Sequence, residues 1–441
     1  MKRSHEIDMS EGKLFRKIIS YSIPLVFSGI LQLAFNAADL VVVGRFAGEI
    51  SLAAVGSNGS LVMLVINILL GLGTGTSVMV SRYFGAKEEK QLQDAVRTNL
   101  LVGLIGGIIF GVLGIAIAGP LLRLMGTPDS VLPLAEVYLR IYFAGLPIII
   151  LYNFSSAVLR AVGDSRRPLI FLAIAGVLNV GMNLVFVIVF HLDVAGVALA
   201  TVLSQVVSCV LTVRCLLKSR SICRLVLRPF TFSKAQFLEL LRIGVPAGIQ
   251  GSMFSISNVL IQSSINSFGA VVMAGNSAAS SIESFLFVGM DAMNQAAVAS
   301  VSQNMGARKY DRTRMAVRSC LLLEIGLSIF LSIFSITFRR SLLGIYTSEP
   351  AAIEAGAVRL VVVGVLYFIN GMQNMLTGVM RGHGYSLLPT CITLLGICGF
   401  RVVFIYTYFA AHHTLEALYA SYPVSWIITV IAQLICYFLL R

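Results

Sequence analysis

SRYFGAKEEKQLQDAVR, residues 81–97, recurs as SQNMGARKYDRTRMAVR, residues 302–318, and this pair decides the fold. Ser81/Ser302, Gly85/Gly306, Ala86/Ala307, Ala95/Ala316, Val96/Val317 and Arg97/Arg318 coincide, always 221 positions apart. Arg160, Gly163 and Pro168 return as Arg381, Gly384 and Pro389 at the same offset. Towards the amino terminus the offset becomes 222, pairing Pro24 with Pro246, Gly29 with Gly251 and Asn36 with Asn258. One residue of slip over so long a register marks a duplication, so the chain is two homologous halves.

The composition says what each half is made of. The chain has 441 residues, 57% of them hydrophobic and 12% charged, with mean hydropathy +0.89. Its apolar runs match the thickness of a bilayer, which takes about 20 residues of helix. They fall at 16–45, 52–80, 98–120, 133–158, 168–190 and 194–216, then at 238–264, 273–301, 319–338, 355–379, 388–410 and 415–440. The expected fold is an all-α polytopic membrane protein of twelve transmembrane helices. Six is even, so both halves enter the membrane in the same sense, and the two six-helix bundles are related by a pseudo-two-fold along the membrane normal, as in transporters. The divisions follow: a cytoplasmic segment 1–15, an amino-terminal lobe 16–217, a cytoplasmic linker 218–237 and a carboxy-terminal lobe 238–441.

The formal net charge of +13 does not point to nucleic acid, because the basic residues sit beside spans and no RNP, zinc-finger or helix-turn-helix pattern accompanies them. With the amino terminus inside, 82–97, 160–167, 214–242 and 308–318 face the cytoplasm and hold four, three, seven and five Lys and Arg residues. The opposite loops hold Arg45, Arg123, Arg339 and Arg340, so the positive-inside rule favours this orientation. The leading residues, with Lys2, Arg3 and Lys13, lack the apolar core of a signal peptide. Arg220, Arg224, Arg228 and Pro229 mark the linker. The seven cysteines form no CxxC pair and read as small packing residues. His191 and His412, also 221 apart, are too few for a metal centre, and no metal site or cofactor is expected.

Within QLAFNAADLVVVGR, residues 32–45, one carboxylate stands inside an apolar helix. A charge at that depth costs about 3 kcal/mol on insertion scales, so such a residue faces a cavity and finds partners. Gln32, Asn36 and Asp39, spaced four and three, share a helix face. The fifth span adds Asn179 and Asn183, the sixth Thr201 and the fourth Asn153. Their oxygens could join the carboxylate around a hard cation such as Na⁺, or hydrogen-bond a protonated Asp39. Asp39, Asn179 and Asn183 correspond to Ile261, Phe400 and Phe404, so only the first half holds this constellation. The eighth span carries Glu283 and Asp291 beside Met290, acids next to an adaptable side chain that suits varied cationic compounds. Pro24 and Pro246, early in the first helix of each half, allow a bend. Arg140, Arg359 and Arg401 are expected to snorkel or pair inside their own lobes.

The IPLVFSGILQLAFNAADLVVVGR start, the FGAKEEKQLQDAVR and MGARKYDRTRMAVR loops, the paired LRAVGDSRRP and MRGHGYSLLP segments and the VSQNMGA run resemble the multidrug and toxic compound extrusion family over about 16–440. The resemblance implies two lobes around a V-shaped central cleft, rocking to expel organic, often cationic, compounds in exchange for inward H⁺ or Na⁺, from the plasma membrane and as a monomer. It implies cation coupling at a first-helix Asp and at fifth-helix Asn and Asp positions. Asp39 and Asn179 match, whereas Asn183 stands where an Asp is often found, which removes a charge. A second family pattern, a seventh-helix Glu and a tenth-helix Asp, is met here by Ser255 and Asn370, so that site is expected to be missing or weakened.

A flippase for lipids or lipid-linked oligosaccharides, of the related exporter type, would share the repeat but carry more cavity charge. An enzyme would need convergent catalytic groups, and no HExxH, DxxDxxD or GxSxG constellation lies in the spans.

Overall fold

In a bilayer a backbone must satisfy its own hydrogen bonds, so apolar runs of this length fold as helices. The structure, a computed structural model, describes residues 6–219, 221–226 and 232–439. Lys2, Arg3, Arg220, Arg228 and Pro229, used in the charge reading, lie outside them.

The first half forms α1 (Leu14–Phe46), α2 (Glu49–Ala86), α3 (Glu89–Leu124), α4 (Leu132–Ala161), α5 (Arg166–Leu184, continued by a π-helical turn at Val185–Val189) and α6 (Asp193–Leu217). The second half forms α7 (Lys234–Asn266), α8 (Ala270–Gly306), α9 (Tyr310–Thr337), the short α10 (Arg339–Leu343), α11 (Pro350–Gly364) and α12 (Tyr367–Gly382). Its last two spans are Leu387–Phe409, made of α13 (Leu387–Thr393) and α14 (Phe400–Phe404) with a π-helical segment after each, and α15 (Leu415–Leu439).

Ten of these helices are long and apolar enough to cross a membrane, and the α11–α12 pair adds one span bent by 53°. With 33 residues α7 has the length, but Gln250, Ser252, Ser255, Ser257, Asn258 and Gln262 keep it too polar to be recognised by composition. The tenth span was expected unbroken over 355–379. Instead the helix stops where Val365 bonds to Val361, Leu366 leaves helical geometry at φ −108° and ψ 18°, and a new helix starts at Tyr367.

The duplication is written into the backbone. Gly48 and Gly269, which precede α2 and α8, have φ of +86° and +90°; Gly163 and Gly384 have +86° and +96°. Lys87 and Arg308 share the left-handed conformation at φ +57° and +56°, and each pair is 221 apart. Ser81 donates to the carbonyl of Ala161 at 2.9 Å, and Ser302 donates to the equivalent carbonyl of Gly382 at 3.4 Å.

The chain divides into two compact units, one comprising residues up to Asp8 and Ile23–Val245, the other Met9–Ser22 and everything from Pro246. Two of the three divisions, Ser22/Ile23 and Val245/Pro246, fall beside the repeated prolines Pro24 and Pro246. In the first unit α3 and α4 pack through glycines: a Cβ on Gly107 would stand 2.5 Å from Pro147, and one on Gly111 would stand 2.8 Å from the Phe143 carbonyl. Small residues at such spacing are how helices approach closely in lipid. In the second unit the segment after Asp8 is held by the ends of α8 and α9: Gln303 accepts from the Met9 amide at 2.8 Å, and Arg312 donates to the carbonyls of Met9 and Gly12 at 3.1 and 2.7 Å.

Candidate functional site

A close crossing of α1 and α5 builds the site in the first unit. Gly176 of α5 lies under the ring of Phe35 so tightly that a Cβ there would sit 1.8 Å from it. Asp39 is one turn along α1 from Phe35, and Asn179 and Asn183 are one and two turns along α5 from Gly176, so the three polar groups meet beside the crossing. The Asn183 amide donates to Asp39 Oδ1 at 2.5 Å and shares its hydrogens with Asn179 Oδ1 at 3.3 Å. Asn179 and Asn183 are buried, and Asp39 is half-buried. The Asn183 Oδ1 atom is buried with no hydrogen-bond partner among the described residues. A carboxylate that, among the described residues, has one amide donor and no ion pair, with an unpartnered oxygen on that same amide, is an arrangement able to take up a proton or a small hard cation.

Beside this trio, Val42, Val43, Val187 and Val197 form an apolar cluster against which Tyr138 of α4 packs. Tyr138 was not anticipated from sequence. The π-helical turn at Val185–Val189 follows Asn183 directly, a distortion that recurs at functional sites.

The structure does not draw every candidate into this group. Asn153 donates to the Ile149 carbonyl of its own helix at 2.8 Å, and Thr201 donates to Val197 at 3.0 Å. Gln32 and Asn36 are exposed, and the polar stripe reaches α5 only at Asp39.

The candidates of the second unit separate as well. Glu283 is not an open carboxylate. Arg359 grips it on both oxygens, at 2.9 and 2.6 Å, and also donates to Asn276 at 2.5 Å. Tyr419 bonds the same Asn276 oxygen, and the Arg359 guanidinium lies over the rings of Tyr419 and Tyr422. Arg401 stands 4.2 Å from the Tyr422 ring centre. Arg359 and Arg401 are therefore met inside their own unit, and Arg140 pairs with Glu136 in the first. Met290 is wholly buried in an apolar cluster with Ile261 and Trp426, which makes it a packing residue. Asp291 accepts from Gln295 at 2.7 Å; Asn370 and Ser255 are half-buried, and the Ser255 hydroxyl turns back to Gly251. Pro24 and Pro246 both stand inside continuous helices. One carboxylate was missed: Glu324, in the apolar run SCLLLEIGLSIF of α9, is completely buried. The reasoning that singled out Asp39 applies to it unchanged.

Two repeated units of membrane-length helices with an intramembrane carboxylate in the first have the organisation of a membrane transporter. The chain belongs to the MatE family, whose sequence profile matches residues 24–185 and 246–407, one stretch in each half. It is 29% identical over 403 residues to the probable multidrug resistance protein YpnP of Bacillus subtilis, covering 90% of this chain and 89% of that one. It is 27% identical over 432 residues to the probable multidrug resistance protein YoeA of the same organism, covering 96% and 93%. Among solved structures it superposes with TM-score 0.92 on an outward-facing multidrug resistance MATE family transporter of the MOP superfamily, at 23% identity over 100% of this chain and 98% of the other.

Proposed function

We propose that the protein is a secondary active exporter of organic, often cationic, compounds, driven by inward movement of H⁺ or Na⁺ through the Asp39 site. The observation that carries this is the Asp39–Asn183–Asn179 cluster, a half-buried carboxylate without an ion pair among the described residues, bonded to an amide whose own oxygen is unpartnered. The names of YpnP and YoeA, probable multidrug resistance proteins, support drugs as the exported compounds. The distribution of Lys and Arg beside the spans supports a cell-membrane protein with its amino terminus in the cytoplasm, and a monomer is the working unit of the proposal.

Coupling requires that the ion bind more tightly in one conformation than in the other. Occupied by a cation, Asp39 is neutralised and stable against the apolar cluster of Val42, Val43, Val187 and Val197. Emptied, it is a bare charge, and the state that solvates it is favoured.

The test is efflux of ethidium from proteoliposomes under an imposed pH gradient or Na⁺ gradient. One gradient is expected to drive efflux and the other not, which identifies the ion. Efflux driven by neither, or translocation of a lipid-linked sugar in its place, contradicts the proposal.

A further inference from the structure

The two halves differ most sharply where their repeat would make them alike. On α3 the residues turned toward α4 are Gly103, Gly107, Gly111 and Gly114; 221 positions later, on α9, stand Glu324, Ser328, Ser332 and Ser335, all buried. The facing helix has changed to match. A Cβ on Gly103 would meet Ile150, and the counterpart of Ile150 is Gly371. In the second half the large residue is Glu324, and a Cβ on Gly371 would come within 2.1 Å of its Oε1. Bulk has been moved from one helix to the other, and the bulk chosen is a carboxyl group.

Among the described residues that carboxyl group has one hydrogen-bond partner. Ser328 donates to Oε1 at 2.7 Å, while Oε2 is buried and unpartnered, as is the Ser332 hydroxyl further along the stripe. The charged groups on the elements packed against α9 are engaged with other groups: Glu283 of α8 with Arg359 of α11, Asp291 of α8 with Gln295, Arg381 of α12 with Gln250, Arg340 of α10 with Glu354 of α11, and Arg339 of α10 with the Ile336 carbonyl at 2.8 Å, twelve residues along α9 from Glu324. Cys320, one turn before Glu324 on α9, and Tyr367, at the start of α12, carry no positive charge. An isolated carboxylate in such a place costs several kcal/mol, and a proton is the one ligand small enough to remove that cost without opening the packing.

We infer that Glu324 is a proton-binding site of the carboxy-terminal unit, occupied at neutral pH and reached along the hydroxyls of Ser328, Ser332 and Ser335. The proton comes from water, binds Oε2 to give the neutral acid, and leaves from the same oxygen. The stripe runs beside the bend of the tenth span, from Gly371 on α12 to Gly364 at the end of α11, whose Cβ would come 3.9 Å from the Ser335 hydroxyl. Straightening or deepening that bend would open or close the route. The exchange of this proton during export rests on the antiport reading; its presence on Glu324 does not.

Infrared spectroscopy of the full-length protein in lipid nanodiscs tests occupancy. At neutral pH the carbonyl band of protonated carboxylic acids is expected to lose a component in Glu324→Gln. In Ser328→Ala, which keeps the acid and removes its hydrogen bond, that component is expected to shift. A band unchanged in either variant overturns the assignment, and the second variant serves if the first does not fold. For exchange, protons moved per ethidium exported are measured in proteoliposomes, with a smaller ratio expected for Glu324→Gln than for wild type. An unchanged ratio leaves the antiport reading intact and defeats exchange at Glu324, as does a wild type that moves no proton. The antiport reading falls only if a Na⁺ gradient fails too.

Discussion

Two intramembrane carboxylates, Glu283 and Asp39, illustrate how surroundings assign a role to one functional group. Glu283 is neutralised by Arg359 in a network of Asn276, Tyr419 and Tyr422, and serves cohesion. Removing one partner of a buried pair strands the other charge and costs about 3–5 kcal/mol. Arg359→Leu should therefore lower the melting temperature, and the single tryptophan, Trp426, stacked edge-on against Tyr367 and Tyr422, reports the loss by fluorescence. Outside the membrane, Glu6 shows a different balance. Burial raises its pKa, against the lowering effects of a Ser221 hydrogen bond and the Arg167 charge. A raised native value means the folded state prefers the protonated form, so the contribution of Glu6 is favourable in acid and lost as pH rises. Glu6→Gln should melt above wild type at neutral pH, and the difference should close below about pH 4, where glutamate is protonated in either state. Asp39 was legible as a site residue because a lone acid in an apolar helix is conspicuous. The partner of Glu283 was not, because Arg359 lies 76 residues away and only the fold brings them together.

At the scale of elements, the Asp39 site is a consequence of one crossing. Phe35 lying on Gly176 sets the spacing of α1 and α5, and the Asp39–Asn183 bond follows a turn further on. Gly176→Val is expected to force the helices apart and abolish gradient-driven efflux. Gly181→Ala, on the same helix with open space around its Cβ position, should leave efflux intact, since alanine is the better helix former by up to about 1 kcal/mol. Equal loss in both variants would show that the crossing is not what matters. Helix positions were readable because hydrophobic runs of bilayer length have few alternatives. The bend between Gly364 and Tyr367 was not, since no proline marks it and valines continue to Val365. The π-helical segments at Val185–Val189, Leu394–Gly399 and Ile405–Phe409 have no compositional signature at all.

For the whole molecule, the duplication supplied two copies of one scaffold, and divergence gave them different polar interiors. The first unit keeps a glycine stripe on α3 and places its acid at Asp39; the second fills the equivalent stripe with Glu324 and three serines. Two of the divisions between the units fall at the repeated prolines, one beside Pro24 and one at Pro246. The central claim is that the cation driving export acts through Asp39. The direct measurement is ethidium efflux from proteoliposomes under the effective ion gradient, comparing wild type with Asp39→Asn, with ethidium binding measured in parallel. The account predicts that Asp39→Asn still binds ethidium and no longer responds to the gradient. Full gradient-driven efflux by Asp39→Asn would contradict it.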